Sequence, residues 1–342
     1  MQVTTIGLDI AKQVFFAVGT NRQGRQVWRK RLRREQVAAF FAQQVSCLVG
    51  LEACGGAQYW ARQLQAQGHE VKVMAPRQVK AFRRGQKNDY NDAGAIGEAA
   101  RQPGVRGVAL KSAAQQDLQA LHRVRDGLVR QRTAVVNRVR GLLAEQGIVL
   151  GVGIGRFRRL VPALLAAAAT PTLSAVVRRL VGREYERVRA LDQDITDLER
   201  ELAAVGQAEA ACQRLQAVPG FGPMGTTALV GAIGDGRAFR SGREVAAWLG
   251  LVPRQYTTGG KPRLYGISKR GDKRLRALLI HGARAVVRHA AHKADPLSCW
   301  IRAVQARRGT NIATVALANK LVRIAWVLLT RAEAYAPARA AA

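Results

Sequence analysis

The chain has 342 residues, enough for two or three domains of about 150 residues each, and its 55 Lys and Arg against 23 Asp and Glu give a net charge of +32. This surplus makes nucleic acid the expected partner and disfavours a small-metabolite enzyme. The 48% of hydrophobic residues excludes a disordered basic tail. We find no apolar stretch near the ~20 residues that span a bilayer and no secretion signal, so we expect no membrane partner and a cytoplasmic location.

The first part of the chain, residues 1–110, is predicted to be a mixed α/β domain. Three short β-prone runs come first, with a hairpin turn between the second and the third. A helix, a strand, a helix, a strand and a helix opened by Pro76 follow. The order βββαβαβα is the one that ribonuclease-H-like nuclease domains use.

The second part, residues 111–205, is predicted to be a helical arm. Apolar residues recur at alternating spacings of three and four over 118–142, where Arg125 and Arg132 interrupt the series, and again over 188–205. Heptads of this kind favour an antiparallel coiled coil or a dimerisation arm. Two ordinary amphipathic helices packed on each other are the alternative.

The third part, residues 206–342, is predicted to be mainly α-helical with one glycine-rich basic loop, and its last residues, from 336 onward, are expected to fray. Joints are expected at 147–155 and 170–172 in the arm before it. The segment 218–228 is similar to the hairpin of a helix-hairpin-helix, in which Gly220, Gly222 and the amides of a helix start hold a backbone phosphate.

A basic run surrounds the glycine-rich loop and is predicted to grip phosphates. A solvated surface is the alternative, which the overall charge disfavours. The run comprises Lys261, Arg263, Lys269, Arg270, Lys273, Arg274 and Arg276.

Four carboxylates of the first part lie at the ends of predicted elements. Asp9 ends the first strand, Glu52 ends the fourth, and Asp89 and Asp92 lie three apart at a helix start, where they can share a face. Carboxylates that converge need a cation to stay ionised together, and hard oxygen ligands on an open site select Mg²⁺ or Mn²⁺. Such ions polarise a phosphate, so the pattern indicates phosphodiester chemistry. For any one residue alone, a cap is the alternative.

These segments resemble a known family. Three stretches of the first part resemble the DEDD motifs of the transposases of insertion-sequence family one hundred and ten, particularly its subgroup eleven-eleven, and three later stretches agree with the carboxyl-terminal motifs in the right order. The stretches are 7–12, 50–56 and 87–93, then 218–223, 246–255 and 266–272.

The resemblance implies a RuvC-like domain, a coiled-coil arm and a carboxyl-terminal transposase domain that act as an RNA-guided DNA recombinase. In that family a structured non-coding guide RNA pairs with donor and target DNA, and the protein cuts and exchanges strands. Asp9, Glu52, Asp89 and Asp92 would be the Mg²⁺ ligands. Strand exchange between two duplexes needs several active sites, so we expect a homodimer or tetramer, associated with the bacterial nucleoid.

The family also uses a serine of the last domain as covalent nucleophile, and here the sequence departs. Counting from Pro253 places that serine on Thr258, or on Thr257 if the loop slips by one. A threonine can act as a nucleophile, although its β-branch restricts approach. A tolerated threonine, weakened activity and a role moved to Ser268 are the three possibilities.

Two other functions stay open on the sequence alone. A RuvC-like junction-resolving nuclease would use only the carboxylates. A basic nucleic-acid-binding protein with a decayed site would carry out no reaction. Without the resemblance, the segment 257–260 would be taken as a plain turn.

Overall fold

The computed structural model describes residues 2–166 and 173–337, so the joint expected at 170–172 and most of the chain end expected to fray lie outside the described residues. The chain divides into two compact units, Met1–Ser112 and Ala113–Ala342. Each unit has a hydrophobic core of its own. The division of the chain into three parts stays a prediction.

The first unit is built on a five-stranded mixed sheet of order β3-β2-β1-β4-β5. β1 pairs antiparallel with β2 and parallel with β4, so the predicted meander and the following βα units are present and the mixed α/β class is confirmed. The strands are β1 Thr5–Asp9, β2 Val14–Thr20, β3 Gln26–Arg33, β4 Leu48–Glu52 and β5 Glu70–Met74, and the helices are α1 Val37–Ala42, α2 Ala57–Ala66, α3 Pro76–Lys80 and α4 Asp89–Arg101.

The two faces of this sheet pack differently because side chains alternate along a strand. Ile6 and Leu8 of β1 and Val49 and Leu51 of β4 are fully buried in the larger apolar cluster. The intervening residues of both strands, among them Gly7, face α4 on the other side. The strand-end carboxylates belong to this second face.

The second unit is mainly helical and contains one β-hairpin. Its helical character agrees with the prediction. The helices are α5 Ala113–Ala144, α6 Ile154–Ala166, α7 Ala175–Ala208, α8 Ala210–Gln216, α9 Pro223–Ile233, α10 Gly242–Trp248, α11 Lys273–His289, α12 Pro296–Arg308 and α13 Thr310–Arg331, and the hairpin strands are β6 Pro253–Thr258 and β7 Lys261–Ile267.

The two long helices α5 and α7 pack on each other within the chain. Both arginines that interrupt the heptads are ion-paired with carboxylates of α7, which explains how charged residues are tolerated there. Arginines that lie further along α5 pair with carboxylates that lie earlier in α7, so the two helices are antiparallel. A coiled coil between chains stays a prediction. The pairs are Arg125–Glu199, Arg132–Asp192 and Arg138–Glu184.

Helix α13 corrects the expectation that no apolar stretch approaches membrane-spanning length. Among the described residues it is the one helix that is long and apolar enough, by length and composition, to cross a bilayer, and half of its apolar window is buried. Leu317 and Leu321 belong to the core of the second unit, where α13 packs against α10, α11 and α12. It is thus the central core helix of this unit.

Candidate active site

The sheet register brings Asp9 and Glu52 to the same edge. β1 and β4 are parallel neighbours, with Leu8 opposite Leu51, and Asp9 and Glu52 are the next residues of the two strands. Because the carboxyl ends of parallel strands lie at one edge, both side chains project from that edge. The sequence-predicted convergence of these two strands is therefore present.

Two glycines let α4 approach this part of the sheet. A Cβ on Gly7 would lie 2.4 Å from the amide nitrogen of Gly97, and a Cβ on Gly50 would lie 2.9 Å from the carbonyl oxygen of Ile96. No larger residue fits at either position without moving the helix. Since Gly7 and Asp9 share a strand face, this contact places α4 beside the carboxylates.

Asp89 and Asp92 both lie in the first turn of α4, and neither is its cap. The cap is Asn88, whose side chain accepts a hydrogen bond from the amide of Asn91 at 2.8 Å. The alternative that one of these aspartates merely caps the helix is therefore wrong. Negative charge in the first helical turn is favourable, so α4 can hold both carboxylates at the sheet edge.

The four carboxylates act on one another electrostatically. The pKa of Asp9 is raised from 3.8 to about 6, first by burial and then by the charges of Asp92, Asp89 and Glu52. The pKa of Glu52 is also raised, by burial and by Asp92, while Lys87 lowers it. Repulsion of this kind favours a bound cation.

Side chains around the cluster limit that repulsion only in part. Arg83 lies 3.6 Å from Asp92, measured from Nη1 to Oδ1. Cys54 follows the fourth strand, and its pKa is raised by burial and by the charges of Asp9 and Glu52. The edge therefore stays predominantly negative in a chain that is otherwise strongly basic.

The donor set suits a hard divalent cation, because all four groups are carboxylates. Within residues 2–166 and 173–337, however, no three His, Cys, Asp or Glu side chains already form a cluster that could hold a metal ion. The four carboxylates thus lie at the same edge of the sheet and act on one another electrostatically, but they do not form a closed coordination site. Divalent cations would offset the charge that raises the pKa of Asp9.

The glycine-rich loop of the second unit is a β-hairpin, which the sequence analysis did not predict. β6 and β7 pair antiparallel, with Thr258 opposite Lys261 across the turn Gly259–Gly260. All of β6 and nearly all of β7 are exposed. A Gly-Gly pair between two short runs is a hairpin signal, but neither run has the apolar alternation that normally reveals a half-buried strand.

The hairpin places the two threonines on opposite faces. Alternation puts Thr258 on one face with Tyr256, whereas Thr257 lies on the other face with Gln255. The Gln255 side chain donates a hydrogen bond from Nε2 to Thr257 Oγ1 at 2.9 Å. Ser268 follows β7 and accepts a 3.5 Å contact from the amide of Arg270.

Most of the basic run is exposed, but two of its arginines make contacts that stabilise the fold. Arg276 is buried and donates hydrogen bonds to the carbonyls of Leu249 and Arg270. Arg274 is ion-paired with Asp126 of α5, and its side chain is 29% exposed. The exposed members are Lys261, Arg263, Lys269, Arg270 and Lys273.

The glycine turn before α9 packs closely against α11. Gly220 has φ +91°, and its carbonyl oxygen would lie 2.0 Å from a Cβ on Gly282 of α11. Gly222 precedes α9 as its N-cap and has open space around it. Phosphate binding at Gly220 and Gly222 stays a prediction, and Gly220 has a separate structural reason to be glycine.

Two family sequence patterns match the chain. The family described as "Transposase IS116/IS110/IS902 family" matches residues 212–297, which include the hairpin. The DEDD transposases of the IS110 type match residues 6–147, which include all four carboxylates of the sheet edge.

Curated relatives match over almost the full length. A protein of Pseudomonas aeruginosa described as a probable family 20 transposase is 48% identical over 98% of this chain and 100% of its own. The transposase for insertion sequence element IS1111A of Coxiella burnetii is 43% identical over 97% of this chain and 91% of its own. The transposase for IS1328 of Yersinia enterocolitica is 39% identical over 96% and 97%. This chain therefore belongs to the IS110/IS116 family of DEDD insertion-sequence transposases.

Proposed function

We propose that this transposase is an RNA-guided DNA recombinase that uses Mg²⁺, or Mn²⁺, to cut and exchange strands between donor and target DNA. The observation that carries the proposal is the shared edge of Asp9, Glu52, Asp89 and Asp92, where burial and then the charges of the other three carboxylates raise the pKa of Asp9 to about 6. A negative edge in a chain of net charge +32 has a clear use in binding cations beside a phosphate backbone.

The four carboxylates are the proposed metal ligands. DEDD transposases as a family use divalent metal, and a bound Mg²⁺ polarises a phosphate and stabilises charge on the attacking and leaving oxygens. Asp9 and Glu52 are fixed by their strands, while Asp89 and Asp92 are held by the first turn of α4. Two strands and one helix thus bring the four carboxylates to the same edge.

Thr258 is the proposed nucleophile. Its Oγ1 forms a bond to the phosphorus while the bond from phosphorus to a deoxyribose oxygen breaks, and that oxygen takes up a proton as the threonine loses its own. The result is a DNA strand joined to the protein, which a hydroxyl of another strand can release. The position of Thr258 at the end of β6, beside exposed Lys261, supports this role.

A structured guide RNA and both DNA partners are proposed to share the basic surface. Phosphate contacts by lysine and arginine provide most of the affinity in such complexes, and pairing with the guide provides the sequence choice. Because two duplexes exchange strands, the working form is proposed to be a homodimer or tetramer acting at the nucleoid.

Two alternatives differ from this proposal in the role they give to the threonine that replaces the family's serine. A junction-resolving nuclease would cut with the carboxylates alone, so that Thr258 would be dispensable. A binder with a decayed site would cut nothing, and its affinity for DNA would depend only on salt.

The test begins with expression of the full chain beside its native flanking DNA and sequencing of the nucleic acid that co-purifies. A single discrete RNA that maps beside the gene is expected, and a smear of unrelated sequences would contradict guidance. Donor DNA is then incubated with the complex and Mg²⁺, and protein–DNA adducts are resolved in detergent.

The two proposed chemistries separate in variants of the complex. Asp9→Asn is expected to abolish cutting. Thr258→Ala is expected to abolish the adduct, because the attacking oxygen is gone. Cutting that persists without an adduct in Thr258→Ala would establish the nuclease alternative, and wild-type complex that cuts nothing with any divalent ion would establish the binder.

A further inference from the structure

The β6–β7 hairpin exposes two large aromatic side chains. Tyr256 and Tyr265 are 64% and 50% exposed. A two-stranded hairpin is marginally stable by itself, and proteins seldom expose several large side chains at one place without a partner. The hairpin therefore has the character of a binding element.

The two tyrosines belong to one concave site. A pocket of about 370 Å³ is lined by Arg254, Gln255, Tyr256 and Tyr265. The register is irregular between Pro253 and Gln255, and the shared pocket places Tyr265 beside Tyr256. The Arg254 guanidinium lies over the Tyr265 ring, 5.9 Å from its centroid. Aromatic rings and a flat cation thus form one platform.

The charge of the hairpin selects an anionic occupant. Residues 253–267 contain three basic residues, Arg254, Lys261 and Arg263, and no acidic one. Alternation places Lys261 and Arg263 on the face that carries Tyr256 and Thr258. Arg254 belongs to the same pocket through its contact with Tyr265. Nucleic acid combines phosphates with flat bases. The basic side chains can bind its phosphates, and the tyrosine rings can stack on its bases.

A base must be unstacked before its face can contact a ring. In a duplex each base face is covered by its neighbours, whereas a single strand or an extruded base offers it freely. Strand exchange requires the DNA strands to separate, so such bases arise during the proposed reaction.

We propose that the Tyr256–Tyr265 pocket binds an unstacked base of a single DNA strand, with Arg263 and Lys261 on the phosphates beside it. Tyr256 and Thr258 lie two residues apart on one strand face, about 7 Å along β6. A base stacked on Tyr256 therefore brings a neighbouring phosphate towards Thr258. The inference rests on the proposed function for the choice of a separated DNA strand and for this last step.

The test compares two labelled strands that carry the same phosphates. One is a five-nucleotide thymidine strand, and the other is a five-residue abasic strand. Their affinities for the full-length chain, freed of nucleic acid by high salt, are measured by fluorescence anisotropy in EDTA, where no cutting occurs. The ratio of the two affinities gives the contribution of the bases to binding, because the electrostatic contribution is the same for both strands.

Variants locate the preference for bases on the hairpin. The wild type is expected to favour the thymidine strand about tenfold. Tyr256→Leu and Tyr265→Leu are expected to lose this preference, while Tyr256→Phe retains it because the ring remains. Leu264→Ala, which removes an exposed apolar side chain from the opposite face, is the matched control and is expected to change nothing.

Three results would overturn the inference: a wild type with no preference for bases, leucine variants with the full preference, or an equal loss in Leu264→Ala. A uridine RNA strand bound far more tightly than the DNA strand would reassign the pocket to RNA and overturn it as well. Failure of the proposed function is recognised separately, as a chain that keeps the preference but never cuts DNA with divalent metal.

Discussion

A Cβ atom on Gly7 would lie 2.0 Å from the carbonyl oxygen of Ala93, so β1 and α4 meet backbone to backbone. The contact lies two residues before Asp9 on the strand and one residue after Asp92 on the helix. The absence of a side chain at Gly7 thus allows the strand that carries Asp9 to lie directly against the helix that carries Asp92.

Gly7→Ala is expected to separate α4 from the sheet. The added methyl group has no space, so we expect a loss of about 2 to 4 kcal/mol in the free energy of unfolding and loss of metal-dependent cutting. Urea denaturation and the donor-cutting assay measure the two effects. Gly94→Ala is the control, since open space surrounds Gly94 in the same helix and alanine there favours the helix. Equal damage by both substitutions would contradict the steric explanation.

Asp9→Asn is expected to stabilise the metal-free protein while it abolishes cutting. The folded pKa of Asp9, about 6, lies above the unfolded value of 3.8, so the folded state holds the proton more firmly. Stability contributed by the protonated form is present below 3.8 and is lost as the pH rises through 6. At neutral pH the variant should gain about 1 to 2 kcal/mol, allowing for solvent screening.

Thermal unfolding in EDTA across this pH range measures the gain. The difference between wild type and variant should grow between pH 3.8 and about 6 and stay constant above. Asp117→Asn, at an exposed position on α5, serves as control. A wild type that is more stable than Asp9→Asn at neutral pH without metal would refute the electrostatic account.

The carboxylate edge could be predicted from the sequence because its causes are local. Asp9 and Glu52 end β-prone runs, and parallel neighbours bring such ends together. The approach of α4 could not be predicted, because it depends on Gly7 and Gly50 lying opposite backbone atoms of a helix that begins only at Asp89. A glycine in a strand signals close packing but does not name the partner.

The hairpin was missed for a different physical reason. Its residues are exposed on both faces, so no hydrophobic period marks them as strands. The resemblance pointed to Thr258 or Thr257 by counting, and only the register separates them by face.

The ion pairs of the arm could not be predicted either. Arg125 and Arg132 interrupt the heptads, and their carboxylate partners lie 60 or more residues further along the chain.

The ion pairs of the arm offer a prediction about stability. Asp192 accepts hydrogen bonds from Arg132 and Arg158, each at 2.8 Å. Burial raises its pKa, but the two arginines outweigh burial, and the net pKa lies below 3.8. Asp192→Asn should therefore cost about 1 to 2 kcal/mol at neutral pH.

The sign of the pH dependence provides a second check on Asp192. Because its folded pKa is depressed, its contribution is present above the unfolded value of 3.8 and is lost as the pH falls through the folded value. The matched control is Glu186→Gln on the same helix, whose pair with Arg189 is exposed and contributes little. Equal costs for the two substitutions, measured by thermal unfolding, would show that burial of the pair is irrelevant.

Neighbouring basic residues at the start of α11 should differ in their contribution to DNA binding. Lys273 is exposed, so Lys273→Ala should reduce the slope of log affinity against log salt by about one phosphate contact. Arg274 is held by Asp126, so Arg274→Ala should leave the slope unchanged and cost about 2 to 3 kcal/mol of stability. Duplex DNA titrations at several salt concentrations measure the slopes. A reduced slope in Arg274→Ala would return this residue to the DNA-binding surface.

The two threonines of the hairpin should behave oppositely in the adduct assay. Thr258 shares its face with exposed Lys261 and Arg263, whereas the hydroxyl of Thr257 accepts a hydrogen bond from Gln255 on the other face. Thr258→Ala is expected to abolish the adduct, and Thr257→Ala to leave it intact.

Thr258→Ser adds a gain-of-function arm to this prediction. It removes the methyl branch that restricts approach to the phosphorus while it keeps the attacking hydroxyl, so the adduct should form several-fold faster than in the wild type. Ser268→Ala should change nothing, since that hydroxyl lies beyond the end of β7. If the adduct instead disappears in Ser268→Ala and survives in Thr258→Ala, the nucleophile has moved off the hairpin. In that case the exposed face of β6 serves only to bind the strand.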